Sequence, residues 1–372
     1  MLLVSFIGEM PQITGMNIFI NHFIKFFFRK LFYSLIVLFG AITIVFFLFN
    51  VMPADPAKMM LGNRDNKEQI ELINSKFYFD KPLHTQYLYY LNDLSPISFH
   101  KSPPKYKRYK EFFSFNSCIA ILKYPYLRTS FHHKNMTVES LIINSLPNTI
   151  VLAVSSIILA LLISVPMGII CVLYKDKFLD KFISIVSILG MSLPSFLSAI
   201  LISYIFAFKF GWFTNLNVTG SLYTVNDDGS NNFLELKNLI LPTITLSIRP
   251  LGVLTQLTRN SLLDEIKSNY IFLARSKGLN MFSSIIFHAL RNSLSSVVTA
   301  SSGWFAGMLS GTVFIEYIFG WNGIGKLLVD SLIFLDFPLV MGIILLIATF
   351  FIIINILVDL VYTFLDPRVI IN

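Results

Sequence analysis

Long apolar runs, parted by short charged turns, dominate the chain. Leu31–Asn50 carries no charged side chain and follows Lys25, Arg29 and Lys30. About twenty residues at about 1.5 Å each reach about 30 Å, the thickness of a bilayer's hydrocarbon core. The pattern recurs at about Ser145–Tyr174, Phe182–Phe210, Leu239–Thr258, Ser293–Phe319 and Leu339–Leu365. Pro194 inside the third run predicts a kink or a split, and Pro242 and Pro250 predict a break in the fourth. The fold class expected is an all-α integral membrane protein of about six transmembrane helices. Its parts are an N-terminal segment (1–30), a first span (31–50), a long polar loop (51–144), a core (145–365) enclosing a basic loop (259–291), and a tail (366–372).

Charge orients these parts. Lys175, Lys177 and Lys181 follow the second run, and Arg259, Lys267, Arg275, Lys277 and Arg291 fill the loop after the fourth. Short cation-rich loops stay in the cytoplasm, which puts both termini there too. The loop from 51 to 144 then lies outside, despite Lys101, Lys105, Lys107, Arg108 and Lys110, because the charge rule lapses for loops beyond about 60 residues. That cation run is expected to be a solvated face or a mobile loop. Gly211–Lys237, with its Asp228-Gly229 turn signal, and Gly320–Phe337 are the other outer loops. A cleaved signal peptide is the rival reading of the first run. The run is too long for one, and Asn50-Val51-Met52-Pro53 lacks the small residues of a cleavage site. Met16 offers a second start, since residues before about Asn21 look dispensable.

Composition narrows the classes. The sequence is 55% hydrophobic and 13% charged, against about 25% charged in soluble domains. The net charge of +8 follows from orientation and calls for no nucleic acid. Cys118 and Cys171 are too differently placed to pair, and the histidines, His132-His133 included, lack ligand spacing. No metal and no cofactor are expected. Gly320 to Lys326 fits G-x-x-x-x-G-K, but Leu327 stands where a P-loop needs Ser or Thr, and no strand precedes it. A tight re-entrant turn is the expectation there. Serines such as Ser155, Ser156, Ser301 and Ser302 read as helix–helix glue, and no catalytic constellation emerges.

Two features invite a functional reading. Tyr270, Ala274 and Gly278 recur every four residues, so they share a small face of a short helix, shallow enough to enter a groove on another protein. Arg275, Lys277 and Leu279 flank it, and His288 and Arg291 lead into the next run. An amphipathic helix lying on the bilayer explains the same residues equally well. Intramembrane charge is the other feature, since Arg249, Glu316 and Asp359 lie in or near spans, where charge is costly. Arg249 beside Pro250, and more weakly Glu316, are candidates to line an internal path. Pairing with a partner helix is the alternative.

The stretch from Tyr270 to Asn292 resembles the EAA-type loop of ABC importer permeases, in the form "YIRTARAKGL … HALRNAL" of the oligopeptide/dipeptide (peptide/nickel) family. It matches at Tyr270, Ile271, Ala274, Arg275, Lys277, Gly278 and Leu279, then from His288 to Asn292, with Phe272-Leu273-Ala274 at the EAA position. Further blocks fall in family order. Pro53-Ala54-Asp55-Pro56-Ala57 resembles "PGDPA", and Asp80-Lys81-Pro82-Leu83 with Gln86-Tyr87 resembles "DKPLxxQY". Pro194-Ser195-Phe196, Leu241-Pro242, Glu316 to Phe319, Gly323-Ile324-Gly325 and Asp366-Pro367-Arg368 follow. The family's "GDLGxS" after the QY block is not recognisable, and an insertion within 92–136 instead precedes Tyr124–Ser130.

The resemblance implies the type I importer permease architecture in a bacterial inner membrane. Its partners would be a second homologous permease, two ATP-binding cassette subunits, an extracytoplasmic solute-binding protein and the bilayer. Residues 270–279, with His288 and Arg291, would form the ATPase-coupling helix and its flank. The chain would be a transport subunit and not an enzyme, carrying di- or oligopeptides. Nickel or another small solute is the alternative cargo, and a stand-alone secondary transporter would instead predict matching halves with interrupted helices.

Overall fold

The structure, a computed structural model, describes residues 12–50, 71, 74, 79–100, 109–115, 118–133, 136–225 and 232–365. The Pro53–Ala57 and Asp366–Arg368 blocks, the cations from Lys101 to Arg108, Asp228-Gly229 and the side chains of Cys118 and Asp359 lie outside the described residues. Helices dominate. The first, α1 (Gln12–Asn50), contains the first expected span. The second span is α3 (Val138–Leu173), which begins earlier than the sequence pattern indicated, because Thr137 caps it by accepting from the Ser140 amide.

Two proline-bearing spans behave differently. The third splits into α4 (Phe178–Ser192) and α5 (Ser195–Ile202), bent by 108° and continued by a π-helical stretch, Ser203–Lys209. Leu193, just before Pro194, is extended at φ −72° and ψ 130°, the conformation that a following proline imposes. The fourth span is the unbroken α7 (Lys237–Glu265), despite Pro242 and Pro250. The break expected there does not occur. A proline inside a bundle loses one backbone bond, and neighbouring helices can hold the segment straight.

The fifth run forms α10 (Leu290–Gly311) and a short α11 (Val313–Ile318), and the sixth forms α13 (Phe337–Leu365). By length and apolarity, four unbroken helices and one bent pair are able to cross a membrane. Among the described residues, α10 with α11 occupies the place of the remaining expected span. The serine- and glycine-rich α10 is a further bundle helix, packed on α7, α13 and α3. The loop expected at 320–337 also contains a helix, α12 (Ile324–Ile333). In the loop before α7, α6 is the short turn Gly211–Thr214, and strands β4 (Tyr223–Val225) and β5 (Asn232–Leu234) pair antiparallel.

The insertion after α2 (Leu83–Leu94) is not structureless. Strands β1 (Ile97–His100), β2 (Tyr109–Phe115) and β3 (Cys118–Lys123) form an antiparallel sheet in the order β1-β3-β2. Ile97 faces Leu122 and Phe99 faces Ala120, while Tyr109 faces Lys123. Ile121 is fully buried. The motif Gln86-Tyr87 has a plain structural use. Gln86 Nε2 donates to the Phe79 and Lys81 carbonyls, and Tyr87 Oη lies 2.6 Å from Thr43 Oγ1 on α1.

α7 forms the axis, against α3, α4 and α10. Close approach is built in at Gly252, where a Cβ would sit 2.5 Å from the Ser187 carbonyl oxygen of α4. Two apolar cores cluster towards opposite ends of this axis. One gathers Leu152, Leu241, Ile315, Phe319 and Trp321, and the other Ile169, Val172, Leu262, Ile271, Ile285 and Ala289. Leu162, Ile185 and Leu189 stay exposed on the flanks, as hydrocarbon surroundings permit.

Candidate functional site

The basic loop folds into two short helices at the foot of α7. Ser268 ends the turn after α7, its hydroxyl donating to the Glu265 carbonyl, and α8 (Asn269–Ser276) follows. Asn280 caps α9 (Met281–Ser284) by accepting from the Ser283 amide at 2.7 Å, and a π-helical turn, Ile285–Ala289, leads into α10.

The faces of α8 differ from the sequence expectation. Ile271 and Ala274 point inward, 0% and 8% exposed, with Ile271 in the core that holds Ile285, Ala289 and Leu262. Ala274 is therefore no part of an outward small face, because i, i+3 pairing with Ile271 puts it on the packed side. Phe272 and Leu273 point out instead, 74% and 58% exposed, with Arg275, Lys277 and Leu279 also exposed. Phe282 and Phe287 extend this apolar surface. Gly278 serves the backbone rather than a face. Its φ is +93°, its N–H donates to the Arg275 carbonyl, and the Leu279 N–H reaches the Ala274 carbonyl, which closes α8 in a left-handed cap.

Tyr270 ties three elements together. Its hydroxyl donates to the Glu265 carboxylate at the end of α7 and accepts from Asn292 Nδ2 of α10 at 2.9 Å. Burial first, then the bond to Glu265, pushes the phenol above its ordinary range, so it remains a donor at neutral pH. His288 and Arg291 lie exposed where α10 begins. Nearby, Arg259 grips Asp180 with two bonds of 2.7 and 2.9 Å, pinning α4 to α7.

At the other end Glu316 is fully buried, and the G-x-x-x-x-G-K turn wraps around it. Its carboxylate accepts from the Gly325 and Lys326 amides, at 2.6 and 3.2 Å, and from Thr149 Oγ1 at 2.8 Å. Thr149 in turn accepts from the Ile324 amide at 2.8 Å. The free amides of the first turn of α12 are thus all satisfied. A Cβ on Gly323 would stand 2.4 Å from the carboxylate, so the glycine is sterically required. Trp321, also fully buried, donates from Nε1 to the Asn148 carbonyl at 3.0 Å. Glu316 is accordingly committed to the turn that it caps.

A second buried acid, Asp336, caps α13 by accepting from the Leu339 amide at 3.4 Å. It also accepts from the Phe131 and His132 amides, at 3.0 and 3.2 Å, and from the Ser130 hydroxyl. Asp336 therefore clamps the end of the long loop to the last helix. Nothing in the apolar periodicity marks either acid. Their signal is otherwise, Glu316 as a charge within an apolar run and Asp336 as an acid just before a helix whose amides need acceptors.

Arg249 lies elsewhere. It lines an open cavity of about 580 Å³, mouth included, with Ser195, Ser198, Thr245, Pro250, Trp304 and Met308. The structure brings residues 270–279 together with His288 and Arg291, and keeps Arg249 and Glu316 apart from them and from each other.

A helical membrane permease built around a loop of this kind is the class that the fold and the site define. The model "Binding-protein-dependent transport system inner membrane component" matches residues 164–371, and "Binding-prot-dependent transport system membrane comp, N-term" matches 23–153. The chain belongs to the binding-protein-dependent transport system inner membrane component family. It is a transport subunit, not an enzyme. Among its relatives is the oligopeptide transport system permease protein AppB of Bacillus subtilis (strain 168), 29% identical over 341 residues, 92% of this chain and 98% of that protein. Another is the dipeptide transport system permease protein DppB of Alkalihalophilus pseudofirmus, 28% identical over 355 residues, 92% and 98% of the two chains. The inward-facing MetNI methionine ABC transporter shares the fold, with a TM-score of 0.50 at 13% identity, covering 61% of this chain and 97% of that one.

Proposed function

We propose that the chain is a membrane-spanning subunit of an ATP-driven importer that carries peptides into the cytoplasm. Residues 259–291 face the cytoplasm, both termini lie on that side, and α8 docks into a separate ATPase. The complex also takes a second homologous permease, a pair of ATPases and a solute-binding protein on the outer face.

The observation that carries this reading is the two-sidedness of α8. Ile271 and Ala274 root it at the feet of α7 and α10, while Phe272 and Leu273 stand out in the open. A helix so rooted moves as one body with the spans, so a push on its outer face reaches α7 and α10 directly. ATP then shifts the balance between inward- and outward-open states through the differing affinity of the ATPases for each. The names of the curated relatives support peptide as the cargo.

Leu273→Asp tests the docking role. Membrane insertion should be unchanged, while recovery of the ATPase with the chain and uptake of a radiolabelled tripeptide both collapse. Uptake and ATPase recovery at wild-type levels would show that α8 is not the contact. A wild-type complex that moves nickel and no peptide would replace the cargo.

A further inference from the structure

We infer that the cavity at Arg249 is a carboxylate-recognising subsite on the peptide's path, a deepening of the peptide-import reading on which it rests. Three independent features converge there. Arg249 sits near the middle of α7, the helix that runs the length of the bundle, a rare charge at span depth with its side chain exposed at the open cavity. Among the described residues no hydrogen bond or ion pair holds it. Its guanidinium is left for something the chain does not supply.

The break in the third span aims a second positive group at the same place. α5 begins at Ser195, directly after Pro194, and both Ser195 and Ser198 line the cavity beside Arg249. Pro194 provides no side-chain cap, and with Ser195 lining the cavity the positive end of the α5 dipole lies at its edge. Interrupted membrane helices use such ends to hold anionic groups of solutes.

The hydroxyls complete the chemistry. Thr245 Oγ1 donates to the Leu241 carbonyl at 2.7 Å, and Ser198 Oγ to the Pro194 carbonyl at 3.3 Å. Their protons are spent within their own helices, which leaves their oxygens as acceptors. Acceptors suit peptide N–H groups, whereas Arg249 and the start of α5 suit a carboxylate. Trp304 and Met308 offer apolar wall for a side chain. The cavity is open on one side, so a peptide segment need enter it only in part. The guest is thus a peptide presenting a carboxylate, either its C-terminus or an acidic side chain.

The test uses the complete transporter in proteoliposomes, with ATP-driven uptake of trialanine, trialanine C-terminal amide and Ala-Glu-Ala amide. Arg249→Gln should raise KM for trialanine about tenfold and leave the plain amide within twofold. Arg249→Lys should retain most trialanine uptake. Loss confined to trialanine assigns the C-terminus, and loss confined to Ala-Glu-Ala amide assigns the acidic side chain. Equal loss for all three peptides would overturn the subsite and assign Arg249 to pairing with another subunit. Unchanged uptake of all three would overturn it as well. Should Arg249→Gln fail to assemble, the wild-type preference for trialanine or Ala-Glu-Ala amide over trialanine amide decides, and no preference for either overturns the subsite. Wild-type complex that transports none of the peptides would overturn the peptide reading itself, whatever Arg249 does.

Discussion

The two ends of the bundle are held by different physics. Around Glu316 and Asp336 the chain is locked by buried carboxylates that each collect amides from distant segments. Around α8 the fixings are apolar, Ile271 and Ala274 against Ile285, Ala289 and Leu262, with one tyrosine crosslink. Directional bonds in a dry site fix geometry, and losing one partner strands the rest. Apolar contact is tolerant of small rotations and leaves the opposite face uncommitted. The contrast separates an end whose polar partners are all committed from an end that leaves one apolar face open.

The largest effect should come from Glu316→Ala. It removes the acceptor of two buried amides and a hydroxyl, and should destabilise the chain by about 3 kcal/mol or more. Thermal unfolding in detergent measures this, and an unchanged midpoint would end the view of that end as locked. Asp336→Asn retains one acceptor oxygen, so about 2 kcal/mol is expected. Proteolysis between α2 and α3 should rise with it, because Ser130 to His132 lose their clamp.

Gly278→Ala meets no neighbour within 4 Å, yet it forces a Cβ into φ +93°. A loss of about 1 kcal/mol, with uptake falling more than abundance, would place the damage in the α8 cap. Smallest is Tyr270→Phe, at about 0.5–1 kcal/mol. The folded-state phenol is raised above about pH 10. The crosslink's contribution is therefore complete below that pH and fades as pH climbs through the raised value. Wild type and Tyr270→Phe should converge in alkaline melts, and a constant gap would discount the bond to Glu265.

The spans were legible because hydrocarbon demands uninterrupted apolar length, and Pro194 announced its own break. Pro242 and Pro250 misled, since a proline's local effect yields to the helices packed around it. The direction of α8 was misread for a related reason. Tyr270, Ala274 and Gly278 share a spacing, but which side is buried depends on Ile271 meeting Ile285 and Ala289, residues that periodicity alone does not bring together. The sheet in the insertion was hidden among cations, although Ile97 to His100 alternate in the manner of a strand and Cys118 to Leu122 form a short apolar run. Arg249 was legible as a rare charge in an apolar setting, while its neighbour, the start of α5, became visible only once the bend was known.

The loop at Gly320–Lys326 carries a wider lesson about motif scanning. A glycine bend opening a helix is a socket for negative charge, indifferent to whether that charge arrives on a nucleotide or is already tethered to the polypeptide. Here the plug is home-grown, nine residues upstream of Gly325. Any search that scores the socket without asking what already fills it will report a vacancy that this protein closed for good when it folded.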